Sequence, residues 1–128
     1  METIANHIYY VGAFGLVLIG LYIILAKRNL IKVIVGLLVL DYAANLMLVL
    51  VGYRTPPAGR APVAPILTGG LAEAKALAAS AVDPIPQALV LTSIVIGLSV
   101  TALVVALAIR LYEKYGTFDT SLMRNLKG

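Results

Sequence analysis

Cysteine and tryptophan are absent, and histidine occurs once, at His7. Without cysteine the chain has no disulfide, no thiolate nucleophile and no cysteine-ligated metal. Charge is scarce too, since Asp, Glu, Lys and Arg make up only 12% of the residues, about half the share in a soluble domain. The long loop between Gly52 and Asp83 carries no phosphate-binding glycine pattern, nucleophile motif or metal-ligand spacing. The expectation is a non-catalytic chain with no metal and no cofactor of its own. The net charge of +4 does not mark a nucleic-acid binder, because the basic residues cluster at the ends of apolar runs rather than on a polar face.

What the sequence does have is apolar length. Of 128 residues, 61% are apolar, too greasy for a water-exposed domain and too short for two domains. Three runs qualify as membrane spans: His7–Ala26, Leu30–Val51 and Gln87–Leu111. Lipid offers no partner to unpaired backbone groups, and the runs lack the alternation of barrel strands, so all three are expected to be α-helices. The fold class is an all-α membrane protein, a single membrane domain over residues 1–128. Its helices are expected at about 7–26, 30–51 and 84–111, with an outer loop over 53–83 and a tail over 112–128. The N-terminal run carries Glu2, no basic n-region and more apolar residues than a signal core, and is read as retained.

Basic residues set the orientation. Lys27, Arg28 and Lys32 border the first turn, and Arg110, Lys114, Arg124 and Lys127 lie at the C-terminal end, against Arg54, Arg60 and Lys75 in the long loop. With three spans the first turn and the C-terminus share one side. The positive-inside bias makes that side cytoplasmic, so the N-terminus and the long loop are expected outside a prokaryotic cell membrane, crossed several times.

The second run, LIKVIVGLLVLDYAANLMLVLV, carries a carboxylate, Asp41, near its middle. At about 1.5 Å per residue the run covers about 33 Å, matching a hydrocarbon core of about 30 Å, which puts Asp41 close to the midplane. An acid there costs on the order of 3 kcal/mol, and it is read as a functional-site candidate whose partner has to be found. Asn45 follows four residues later on the same helical face and is expected to be its hydrogen-bond neighbour. The pair reads either as interhelical hydrogen-bonding glue or as a site that takes up and releases a proton or cation. Lys32, about two turns earlier, either snorkels to the interface or joins a polar path through a larger assembly.

Elsewhere the patterns are structural. Gly12, Gly15 and Gly20 mark places in the first span where a neighbouring backbone comes close, and His7, Tyr9 and Tyr10 sit at its outer edge as interfacial residues. Segment LAEAKALAASAV, in the second half of the long loop, is rich in helix formers and predicts a short helix. Asp83, Pro84 and Gln87 open the third span, with the acid as N-cap and proline at the first helical position. Ser93, Gly97 and Thr101 recur every four residues, a small-xxx-small packing face. The tail YEKYGTFDTSLMRNLKG mixes aromatic and basic residues and is expected on the cytoplasmic membrane surface or on a partner.

Two stretches carry a resemblance. DPIPQALVLTSIVIG (Asp83–Gly97), continuing through SVTALVVALAIRLYEKYGTFD to Asp119, and VGLLVLDYAANLMLV (Val35–Val49), preceded by the basic turn Lys27–Asn29, resemble the small C-type subunit of Mrp-type multisubunit Na+/H+ antiporters. That family is itself similar to the small K-type membrane subunit of complex I and to antiporter-module subunits of archaeal membrane-bound hydrogenase and sulfane reductase. The resemblance implies a three-helix subunit lodged among other membrane subunits of an antiporter module, in the lipid bilayer, contributing to movement of Na+ and protons. Two departures bear on the ion path. The complex I relative has acids near the places of Leu38 and of Ile96–Gly97, where this chain has aliphatic residues or glycine, so its path does not transfer residue by residue. At Asp41 itself the antiporter subunits more often carry a small polar residue, so Asp41 is chosen for its depth and not from the family. The alternatives are the equivalent subunit of a redox-driven complex, a purely structural packing subunit and a small self-assembling exporter.

Overall fold

The computed structural model describes residues 2–54, 56, 61–67, 69–70 and 73–124, with side chains from residue 7 onward; Arg60 and Lys127 lie outside the described residues. Among the described residues four α-helices follow one another: α1 Glu2–Ala26, α2 Leu30–Gly52, α3 Ala74–Ser80 and α4 Pro84–Tyr115. Three of them, α1, α2 and α4, are long and apolar enough to cross a membrane. Among the described residues there is no strand, only two isolated bridges. Two helices outrun the apolar stretches that announced them. Helix α1 already includes Glu2, and α4 runs past Leu111 to Tyr115, because helix ends follow backbone caps rather than hydropathy. Gly116, in the left-handed conformation at φ 68°, closes α4 with its N–H donated to the Tyr112 carbonyl, a conformation that costs glycine little.

Helix α2 is the centre of the molecule, with α1 and α4 each packed along it. Lipid chains are as apolar as leucine side chains, so helices in a membrane gain from close van der Waals approach rather than from leaving water. The sequence supplies that approach with small residues. A methyl group built on Gly20 would lie 3.0 Å from the Leu40 nitrogen and 3.1 Å from the Gly36 carbonyl oxygen, so α1 and α2 touch backbone to backbone there. Gly36 in turn lies under Ile23 and Ile24. Nearer the other end of the pair, the Tyr10 hydroxyl donates to the Leu50 carbonyl at 2.8 Å. Gly12 and Gly15 differ from the expectation, having nothing outside their own helix within 4 Å of the methyl they lack. A glycine-rich stretch marks permission for close approach, and only Gly20 of the three faces α2.

Helix α4 lies antiparallel to α2. Val90, Ser93, Gly97, Thr101, Val104 and Ala108 are the half-buried or buried positions of its central part, and every residue between them is exposed. Spacings of three and four define one helical stripe, and that stripe faces α2. Gly97 stands against Asp41, and Gly52 against the Pro86 ring. Outside these seams the apolar surface is open: Leu25 is 76% exposed, Val51 74% and Leu98 71%. Surfaces of that kind require lipid or other membrane proteins around them.

Both ends of the bundle are tied. At one end Val63 pairs with Ser80 and Val82 through backbone hydrogen bonds of 3.1 Å, and the Asp83 N–H donates to the Gly52 carbonyl at 3.1 Å. At the other end the chain after Gly116 folds back across the turn between α1 and α2. Leu30 N–H donates to the Phe118 carbonyl at 2.9 Å, and Thr120 N–H to the Arg28 carbonyl at 2.8 Å. The Thr120 hydroxyl donates to that same carbonyl at 2.8 Å. Phe118 stacks on Tyr112 with ring centroids 4.4 Å apart, and Met123 is buried. The tail is thus docked on its own chain.

Asp119 organises this strap. One of its carboxylate oxygens accepts from the Ser121 hydroxyl at 2.7 Å and from the Ser121 N–H at 2.9 Å. These bonds, the hydroxyl first, with a smaller contribution from the charge of Arg28, hold its carboxyl below the usual carboxylate range. A depressed carboxyl contributes stability in full above its unfolded value and loses it as pH falls through the folded value. Protection of the Ser121 amide from hydrogen exchange, corrected for the intrinsic rate, is therefore expected to hold down to the ordinary carboxylate range and to fall below it. In Ser121→Ala that pH effect should shrink.

Candidate functional site: the seam between α2 and α4

The site is built where the middle of α2 meets the small-residue stripe of α4. Helix α2 starts cleanly because the Asn29 side chain accepts from the Ile31 N–H at 2.9 Å and from the Lys32 N–H at 3.4 Å. Helix α4 starts in the same way, with the Asp83 carboxylate accepting from the Ile85 N–H at 3.0 Å and proline at the first turn. With both starts fixed, the register of the antiparallel pair places Asp41 beside Gly97. The Asp41 carboxylate occupies the space that a side chain on Gly97 would fill: a methyl built there would lie 2.8 Å from Oδ2.

A cleft of about 390 Å³ opens along this seam, bordered by Asp41, Thr92, Ser93 and Thr101 among aliphatic side chains. Asp41 is half-buried. No hydrogen bond or ion pair reaches its carboxylate from the described residues. Asn45 is buried, at 7% exposure, and among the described residues neither its Oδ1 nor its Nδ2 has a hydrogen-bond partner. The bond expected between Asn45 and Asp41 is therefore not formed. Four-residue spacing gives two side chains a common face, but their Cα atoms are about 6 Å apart along the axis, and these two short side chains do not meet. Leaving a buried polar group unsatisfied costs about 1–3 kcal/mol, so the seam is polar at a cost to this chain alone.

The hydroxyls of α4 divide by face. Thr92 and Ser99, which are exposed, donate back to Ala88 and Val95 in their own helix at 3.2 and 3.1 Å. Ser93 and Thr101, on the stripe facing α2, have no such bond. Lys32 is exposed near the start of α2, about 13 Å along the axis from Asp41, and is not brought to the seam. Gln87 is exposed in the first turn of α4. His7 is exposed at the far end of α1. Among the described residues there is no group of three His, Cys, Asp or Glu able to hold a metal. The arrangement is a mid-helix acid in an open cleft with its bonding capacity unspent.

Over residues 8–128 the sequence matches the family NADH-ubiquinone/plastoquinone oxidoreductase chain 4L. The chain belongs to this family. Relatives of this chain 4L member include the C1 subunit of a Na+/H+ antiporter of Staphylococcus epidermidis, 40% identical over 106 residues, 83% of this chain and 81% of that protein. The C1 subunit of the Na+/H+ antiporter of Staphylococcus aureus is 37% identical over 111 residues, 84% of each chain. Among solved structures, the chain 4L member is similar to a chain of the membrane-bound sulfane sulfur reductase, an archaeal respiratory membrane complex, with a TM-score of 0.74 and 46% identity over 94% of this chain and 97% of that one. The chain 4L member is thus a multi-pass membrane protein of a family whose relatives are named as antiporter subunits and as part of a respiratory membrane complex.

The closeness of Gly97 to Asp41 makes a small prediction. Gly97→Ala should push the Asp41 carboxylate aside, because the three atoms nearest the new methyl all belong to that carboxylate. A short side chain can yield, so Gly97→Ala should be recovered from membranes in near wild-type amounts, while Gly97→Leu should separate α4 from α2 and lower recovery of the chain. Quantifying the chain in purified membranes distinguishes the two variants.

Proposed function

We propose that this chain is a small, non-catalytic membrane subunit of a multisubunit Na+/proton antiporter module, in which Asp41 takes part in ion translocation. One observation carries the reading: an acid at mid-helix, unpaired among the described residues, in an open cleft of a chain with three helices able to span a membrane, an arrangement costly enough in lipid to require a use. The antiporter names of the relatives support it. Larger membrane subunits cover the outward apolar faces of α1 and α4. Residues 1–128 form one membrane domain, with the N-terminus outside the cell membrane and the α1–α2 turn and docked tail in the cytoplasm, as the distribution of Lys and Arg directs. Asp83 and Pro84 fix the start of α4, and Lys32 serves the cytoplasmic boundary.

The likeness to a chain of the sulfane sulfur reductase favours a second reading, the same subunit in a redox-driven complex whose electron chemistry belongs to other subunits. Purification in mild detergent separates the readings. Larger antiporter-like membrane subunits alone support the first, and additional iron–sulfur subunits support the second. A small homo-oligomer without partners would overturn both. Orientation is checked by labelling single cysteines introduced at Lys27 and at Lys75 with a membrane-impermeant reagent in intact cells; labelling is expected at the second only.

A further inference from the structure

Helix α2 ends and α4 begins at the same face of the bilayer. At 23 residues, α2 is about 35 Å long at about 1.5 Å per residue, against a hydrocarbon core of about 30 Å, so its last turn reaches the headgroups. The Asp83 N–H donates to the Gly52 carbonyl at 3.1 Å, which holds the start of α4 level with the end of α2. Arg54, just beyond Gly52, and Asp83, just before Pro84, therefore stand at headgroup depth.

A cleft of about 500 Å³ opens here, bordered by Arg54 and Asp83 and otherwise by apolar side chains that include Pro65, Leu67, Leu77 and Val82. Both charges have bonding capacity to spare. Arg54 is exposed and has no hydrogen bond or ion pair with the described residues. Asp83 accepts from the Ile85 N–H through Oδ1 at 3.0 Å, and its Oδ2 has no partner among them. Although they border one cleft, the guanidinium and the carboxylate do not pair with each other. The apolar wall beside them is uncovered, with Leu67 48% exposed.

The charges narrow the occupant. An apolar side chain of another protein would cover Leu67 and Leu77 and leave both charges unpaired. A lipid with a purely anionic headgroup satisfies Arg54 but sets its phosphate near the Asp83 carboxylate, an unfavourable approach of like charges. A choline headgroup carries positive charge but no N–H to donate. A phosphate followed by a primary ammonium gives Arg54 an acceptor and Oδ2 a donor, while the attached chains cover the apolar wall. We propose that this cleft binds one phospholipid with a phosphoethanolamine-type headgroup, its phosphate on Arg54, its ammonium on Asp83 and the upper part of its chains against Leu67, Leu77 and Val82. The site needs only the bilayer, and it stands whichever face of the membrane this end of the bundle occupies and whatever Asp41 does.

The test uses the intact complex in nanodiscs of phosphatidylcholine doped with a small share of one photoreactive lipid. That lipid is phosphatidylethanolamine, phosphatidylcholine or phosphatidylglycerol, each with the same diazirine on one acyl chain, and labelled peptides are mapped by mass spectrometry. The ethanolamine lipid is expected to label residues 61–84 several-fold more than either of the others, the scale of one exposed ion pair. Equal labelling by all three overturns the proposal, as does density showing Arg54 paired directly with Asp83 or another subunit seated in the cleft. Arg54→Gln should lower labelling by the ethanolamine lipid to the choline level. Asp83→Asn keeps the helix cap, since Asn ranks with Asp there, and should raise labelling by the glycerol lipid to the level of the ethanolamine lipid. Unchanged discrimination in both variants would also sink the idea; should either fail to assemble, the wild-type comparison alone decides.

Discussion

Asp41→Asn is expected to lower Na+/proton exchange by the intact complex by about 10²-fold, the scale on which removal of a positioned proton-exchanging side chain acts, and to leave its set of partner proteins unchanged. The amide matches the carboxylate in size, so it still occupies the space beside Gly97 and disturbs neither helix. It differs only in having no proton to exchange and no negative charge for a cation. Fluorescence-monitored exchange in vesicles, with the complex quantified by gel, measures both halves of the prediction. Full exchange by fully assembled complexes would reduce Asp41 to interhelical glue.

Gly20→Leu should abolish incorporation of the chain. The built methyl already meets the backbone of α2 at 3.0 to 3.2 Å on three atoms of Gly36 and Leu40, and backbone cannot rotate away as a side chain can. Overpacking of a well-packed interface costs about 1–3 kcal/mol when neighbours adjust, and here α1 has to leave α2. Tyr10, whose hydroxyl reaches the Leu50 carbonyl, would lose its partner in the same event. Gly12→Ala, with nothing outside α1 within 4 Å in this chain, is the matched control and should be recovered at wild-type amounts. Recovery of both variants alike would mean that the α1–α2 seam is not what holds α1 in place.

These two positions also show how far a sequence can be read. The depth of Asp41 follows from arithmetic on an apolar run, and the stripe of Ser93, Gly97 and Thr101 announces a face without saying which helix will meet it. The structure supplies α2. Three glycines in α1 look alike in sequence, and only the antiparallel register distinguishes Gly20 from Gly12 and Gly15. Asn45 and Asp41 share a face by spacing, yet whether two short side chains touch depends on distances of an ångström that spacing does not contain. The docked tail was the least legible, because it is held largely by backbone groups of Arg28, Leu30, Phe118 and Thr120, which every residue type possesses.

That strap has a consequence for biogenesis. A chain enters the membrane from its N-terminal end, and domains tend to form in the order of synthesis. The α1–α2 hairpin has local partners and can close as soon as Leu30–Gly52 has emerged. The bond from the Thr120 hydroxyl to the Arg28 carbonyl joins residues 92 apart in sequence and cannot form until α4 has crossed the bilayer in the opposite direction to α2. Docking of Phe118 and Thr120 on the waiting turn therefore reports completed insertion, and a quality-control protease that cuts exposed tails would leave a correctly threaded chain intact while destroying one whose last helix had stayed outside.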